Sequence, residues 1–204
     1  MLEINLAEAG GMVWMKMGAM VAYRGDIKFQ REGILEQGLG NLLKKAVSGE
    51  GAILTNAVGH GALYVADGGK LITVLDLASE SLIVNGSDLI AFTPTLKHDI
   101  TMMRRIGAIA SGGLFNIRIA GSGTLAIATH GKPMALRVTP SSPVFTDPQA
   151  TVAWSASLTP EFKTDIQFKT LLGRGSGESF QMDFKGEGFV VVQPYEEKPL
   201  QTGS

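Results

Sequence analysis

Three histidines, His60, His98 and His130, are the residues whose type most directly suggests chemistry, since imidazoles ligate zinc and iron. Their spacing does not favour it. A cupin-like site needs a His-x-His pair, and none occurs. His98 beside Asp99 has the makings of an oriented base. One such neighbour pair is also common by chance, so surface or turn roles are expected for all three. Gly-x-Gly occurs at Gly59-His60-Gly61, Gly121-Ser122-Gly123 and Gly186-Glu187-Gly188. A nucleotide loop would need a longer glycine pattern between a strand and a helix. Here an apolar strand follows and the middle residue varies, so a turn is expected. No G-x-S-x-G nucleophile elbow occurs. The expectation is therefore no catalytic residue, no metal and no cofactor.

A basic cluster is the remaining candidate. Lys44-Lys45, Arg104-Arg105 and Arg174 recur in step with the glycines. Brought together, they could bind an anion or RNA phosphates. Glu50 and Glu178 stand nearby, and no aromatic residues interleave for base stacking. A solvated basic turn that repeats because its unit repeats is the simpler reading, and nucleic acid is not an expected partner.

The elements that would carry these residues are strands. Glycine makes up 26 of 204 residues, nearly double ordinary usage. Those glycines separate short apolar runs such as ALYVA, TLAIAT and FVVVQ, the pattern of strands punctuated by turns. Three markers recur in one order: Asp-Ile at 26, 99 and 165, Ser-Gly at 48, 111 and 176, and the Gly-x-Gly triplets. The triplets are spaced by 62 and 65 residues and the Ser-Gly pairs by 63 and 65. A shared period implies one unit used three times, over approximately 1–66, 67–129 and 130–197, with a tail at 198–204. The first unit is longer between Asp-Ile and Gly-x-Gly, with its extra segment placed near Phe29–Gly40.

Alternation places Phe180, Met182 and Phe184, and Phe115, Ile117 and Ile119, on an inner face. The first unit would turn Leu54, Asn56 and Val58 outward, an unusually apolar outer face that is either covered by the insertion or a subunit contact. Further strands are expected at Leu71–Leu77, Ser81–Val84, Leu89–Phe92, Ala135–Val138 and Thr151–Ser155, with a hairpin turn at Asn85-Gly86. Helix is expected only in short pieces near Leu42–Val47 and Met102–Ile106. The fold class is all-β: three tandem sandwich-like repeats about a pseudo-threefold axis, forming one domain.

The stretches AVSGEGAILTNAVGHGALYVA, SGGLFNIRIAGSGTLAIAT and GEGFVVVQPYEE, with the threefold period, resemble the mitochondrial biogenesis family named for "altered inheritance of mitochondria". The resemblance runs from about Ala19 to Tyr195. It implies units similar to the tryptophan RNA-binding attenuation protein, a short double-stranded β-helix variant. It transfers no catalytic residue.

Hydrophobic residues at 45% suffice for a core, and a formal net charge of −1 carries no bias toward nucleic acid or anionic membranes. The absence of cysteine removes disulfides and thiolate metal sites, and fits a reducing compartment. No apolar run approaches the roughly 20 residues that span a bilayer, and the N-terminus lacks a basic leader. A cytoplasmic, non-enzymatic binding or scaffold protein that forms a homo-oligomer is the expectation. An anion- or RNA-binding module using the basic turns is the alternative.

Overall fold

The structure, a computed structural model, describes residues 1–31, 54–102, 115–164 and 180–196. Every regular element among them is a strand, and every pairing is antiparallel. The strands are β1 (Leu2–Asn5), β2 (Met12–Lys16), β3 (Met20–Arg31), β4 (Leu54–Val65), β5 (Leu71–Asn85), β6 (Leu89–Phe92) and β7 (Lys97–Met102). They continue with β8 (Phe115–Thr129), β9 (Met134–Val138), β10 (Val144–Thr146), β11 (Thr151–Ser155), β12 (Glu161–Thr164), β13 (Phe180–Phe184) and β14 (Gly188–Val192). The expected strands therefore form. Leu71–Leu77 and Ser81–Val84 are two halves of β5, joined through Ser79 at φ 63° and a register shift.

The Gly-x-Gly triplets do not open strands in the first two cases. They lie in the middle of β4 and β8. At Gly59 and Gly61, φ is 138° and 141°, and a Cβ there would collide with the carbonyl oxygens of Asp26 and Arg24 on β3. Glycine is required because two backbones touch at a bend. The pairings require that bend. Asn85, at the end of β5, faces Asn116, whereas Leu89, at the start of β6, faces Ile127. Those partners would be roughly 35 Å apart on a straight strand, yet the chain from Asn85 to Leu89 spans at most about 14 Å. Hence β8 doubles back at its glycines. The same geometry recurs at β4, where Lys16 faces Leu54 and Met20 faces Val65. In the third region the strand is split into β13 and β14 around Lys185-Gly186-Glu187.

The Asn85-Gly86 turn forms, with the Asp88 N–H donating to the Asn85 carbonyl at 3.0 Å. It is not a hairpin, because β5 and β6 lie on opposite edges of β8. The Asp-Ile marker also loses its meaning as a register mark. Asp26 faces His60 at the bend, whereas Asp99 faces Arg118, short of it. Asp165 and all three Ser-Gly pairs lie outside the described residues, as do residues 32–40 of the expected first-unit insertion and both expected helices except Met102, which ends β7.

Three apolar clusters fill the interior. One joins Leu6, Val13, Met15, Leu63 and Val65 to Ile90 and Ala126. A central one holds Leu54, Val84, Phe92, Ile117, Ile127 and Val152. The third gathers Val138, Trp154, Met182, Phe184 and Val190. Ile117, Ile119, Met182 and Phe184 are buried as alternation requires. Leu54, expected to face outward, is 2% exposed in the central cluster, whereas Asn56 and Val58 are half-buried. In the sheet Leu54 pairs with Lys16 of the neighbouring β2, and its side chain packs in the central cluster. No described helix is long and apolar enough to cross a membrane.

Candidate functional site

The five basic candidates, Lys44, Lys45, Arg104, Arg105 and Arg174, lie outside the described residues. The histidines are dispersed. His60 is exposed at the bend of β4 opposite Asp26. His98 packs against Trp14 and Phe92, with ring centroids 5.1 and 5.2 Å away. His130 lies over Tyr195 at 4.1 Å, while its backbone N–H donates to Gln193 Oε1 at 2.8 Å. Among the described residues no three His, Asp or Glu side chains converge as a metal site would require. An open surface hollow of about 510 Å³ is lined by Gln149, Ala150, Gln193, Pro194, Tyr195 and Glu196. That lining offers no nucleophile hydrogen-bonded to a base.

Two ionic clusters are built as braces. Asp183, with a fully buried side chain on β13, meets Lys163 of β12 at 2.6 Å and Lys185 at 3.0 Å. Burial pushes its carboxyl up, but the two ammonium groups outweigh that and hold it below the ordinary carboxylate range. Lys185 is raised in turn, by Asp183 first and then Glu161. At the other cluster Lys70, 7% exposed, meets buried Asp88 at 3.2 Å, and Lys16 meets Asp67 at 3.0 Å. Lys16 also donates to the Ser87 carbonyl at 2.8 Å, tying β2 to the turn before β6. These groups tie strands and turns together.

The most unusual surface is apolar and lies on strand edges. The first stretch of β3 exposes Met20, Val21 at 58% and Tyr23 at 49%, and Phe29 stands 5.3 Å from the Tyr23 ring. Among the described strands β3 pairs with β4 alone. At the far end of the chain β10 exposes Phe145 at 51% and pairs with β13 alone. The Lys163 ammonium lies 5.4 Å from the Phe145 ring. Apolar strands with one unpaired edge are sites of strand addition unless they are blunted. Neither was singled out from sequence, although the signal was present: Val21-Ala22-Tyr23, Ile90-Ala91-Phe92 and Val152-Ala153-Trp154 are one motif.

The chain was compared with known proteins. The model of a family described as mitochondrial biogenesis AIM24 matches residues 1–195. No curated protein matches. Among solved structures, the X-ray crystal structure of protein SPYM3_0169 from Streptococcus pyogenes superposes with a TM-score of 0.69 at 23% identity. That superposition covers 91% of this chain and 84% of the other, and at this identity the likeness concerns the fold.

Proposed function

We propose that this chain, which belongs to the mitochondrial biogenesis AIM24 family, is a non-enzymatic scaffold that works by self-association through strand edges. The observation carrying this reading is the exposed apolar stretch Met20–Tyr23 on an edge strand. A net charge of −1 over 204 residues leaves little self-repulsion to keep copies apart. The lack of cysteine fits a reducing compartment such as the cytoplasm.

The reading includes three sandwich-like units in tandem, and the pairings support it. Each long bent partner, β4, β8 or β13 with β14, is flanked by four strand segments used in one order. In the first unit these are β1, β2 and the two halves of β3. In the second they are the two halves of β5, then β6 and β7. In the third they are β9, β10, β11 and β12. A register shift recurs in the third segment of every unit, after Met20, Leu89 and Thr151. One hydrogen bond recurs with it: Ala66 N to Ala19 O, Ala128 N to Asp88 O and Gln193 N to Ala150 O, at 2.9, 2.7 and 2.9 Å.

Light scattering tests the reading. The wild type should have a mass that is a multiple of 21.6 kDa, and Val21→Asp, at an exposed position, should reduce it to one chain. A monomeric wild type at cellular concentrations removes the proposal. The second reading, an anion or RNA module at Lys44, Lys45, Arg104, Arg105 and Arg174, rests on their recurrence alone. Salt-sensitive retention on heparin, abolished by Arg104→Glu with Arg105→Glu, would favour it over the scaffold.

A further inference from the structure

Neighbouring units are joined by one rule. The second segment of a unit pairs with the third segment of the next. Between the first and second units, β2 pairs with β6, with Trp14 facing Phe92 and Met15 facing Ala91. Between the second and third, the later half of β5 pairs with β11, with Ile83 facing Trp154 and Val84 facing Ala153. The positions correspond residue by residue. Trp14, Ile83 and Phe145 face Asn56, Arg118 and Asp183 on the long strands. Tyr23, Phe92 and Trp154 face Leu63, Leu125 and Val190. Both sets of partners are spaced by 62 and then 65 residues, the spacings of the glycine triplets.

Two joints therefore exist among the described residues, and one donor segment and one acceptor segment are left over there. The donor is β10, carrying Phe145. The acceptor is Met20–Arg24 of β3, carrying Tyr23. Burial marks them as an unfilled joint. Ile90 and Val152 are 0% exposed, and Phe92 and Trp154 are 1% and 4%. Their counterparts Val21 and Tyr23 are the half-exposed residues described above. The aromatic arrangement at the first joint is a triad of Trp14, Phe92 and His98. At β3 two members of that triad stand in place, Tyr23 and Phe29, with the same separation as Phe92 and His98 to within 0.1 Å. Among the described residues no third ring joins them in the position of Trp14, whose counterpart is Phe145.

We infer that the third unit of one copy docks on the first unit of a second copy, β10 pairing antiparallel with the first stretch of β3, Phe145 against Tyr23 and Phe29, and Thr146 facing Ala22. The partner is a second copy of this chain. The contact continues the rule by which the units already join, and it is head-to-tail, so it propagates into a closed ring or a filament. It rests on the self-association reading and specifies the surface. Lys163, which lies over Phe145, moves aside or keeps one face of the ring.

Cysteine cross-linking tests it, because the chain has no cysteine of its own. Ala22→Cys and Thr146→Cys leave both aromatics in place, and facing residues of antiparallel strands bring Cβ atoms to about 5 Å, near disulfide reach. On oxidation, a mixture of the two single variants should give a disulfide dimer, and neither variant alone should. A chain carrying both should give a ladder of covalent multimers. A double variant that closes within one chain overturns the inference, as does a homodimer of either single variant. An oligomeric wild type whose variants never cross-link overturns this joint and leaves self-association standing. A wild type of single-chain mass overturns both.

Discussion

At the scale of single residues, the buried charges make the sharpest demands. Asp88 lies fully buried against Lys70. Lys70→Met should cost about 3–5 kcal/mol by removing the ammonium from a buried ion pair, read as a lower midpoint in urea. The double change with Asp88→Leu should recover much of the loss. Asp183 adds a pH dependence of known sign. Its carboxyl is depressed in the folded chain, so its contribution is full above the unfolded value near ~3.9 and fades as pH falls through the lower folded value. Against Asp183→Asn, the wild type should be more stable by roughly 1–3 kcal/mol at neutral pH, and the gap should close in acid below about pH 4. A gap that persists unchanged at pH 2 would separate Asp183 from its lysines. Leu54 is the corrected residue. Alternation alone placed it outward, but alternation assigns two faces without saying which is dry, and this one packs into the central cluster. Leu54→Asp should therefore unfold the protein rather than dissociate it, and circular dichroism would separate those outcomes.

At the scale of elements, the strands were legible because glycine and apolar alternation mark them directly. The bends were not. Gly59-His60-Gly61 reads as a turn in sequence, since nothing local says that β3 follows β4 through the bend and keeps pairing on both sides. The requirement for glycine is set by a backbone that is distant in sequence. Gly61→Ala should consequently destabilise by several times the ~1 kcal/mol of an ordinary glycine substitution, because the new Cβ meets the Arg24 carbonyl. Thermal denaturation measures this, and an unchanged midpoint would mean that the strands separate there at no cost. Asp-Ile misled for a related reason. It recurs in sequence, but pairing decides what is equivalent, and Asp26 and Asp99 face different points of their long strands. The histidines recur in composition only. The structure separates His60, His98 and His130, and it does not describe the five basic residues.

At the scale of the whole molecule, the period of the chain expressed an architecture more fully than it expressed a site. The motif of a small apolar residue, alanine and an aromatic at Val21–Tyr23, Ile90–Phe92 and Val152–Trp154 carries both. Two copies of it are buried, and the first is exposed among the described residues. Function, on this account, lies at the exposed copy of the motif: a surface that the other two copies bury within the chain is one that a second chain covers.

Amide hydrogen exchange of wild type against Phe145→Asp reads that claim most directly. Residue 145 lies on β10 and the acceptor on β3, and no described pairing connects the two strands within one chain. The account predicts that amides across Val21–Arg24 exchange slowly in the wild type and markedly faster in Phe145→Asp, with β4 and β8 unchanged. Equal exchange across Val21–Arg24 in the two proteins would contradict it.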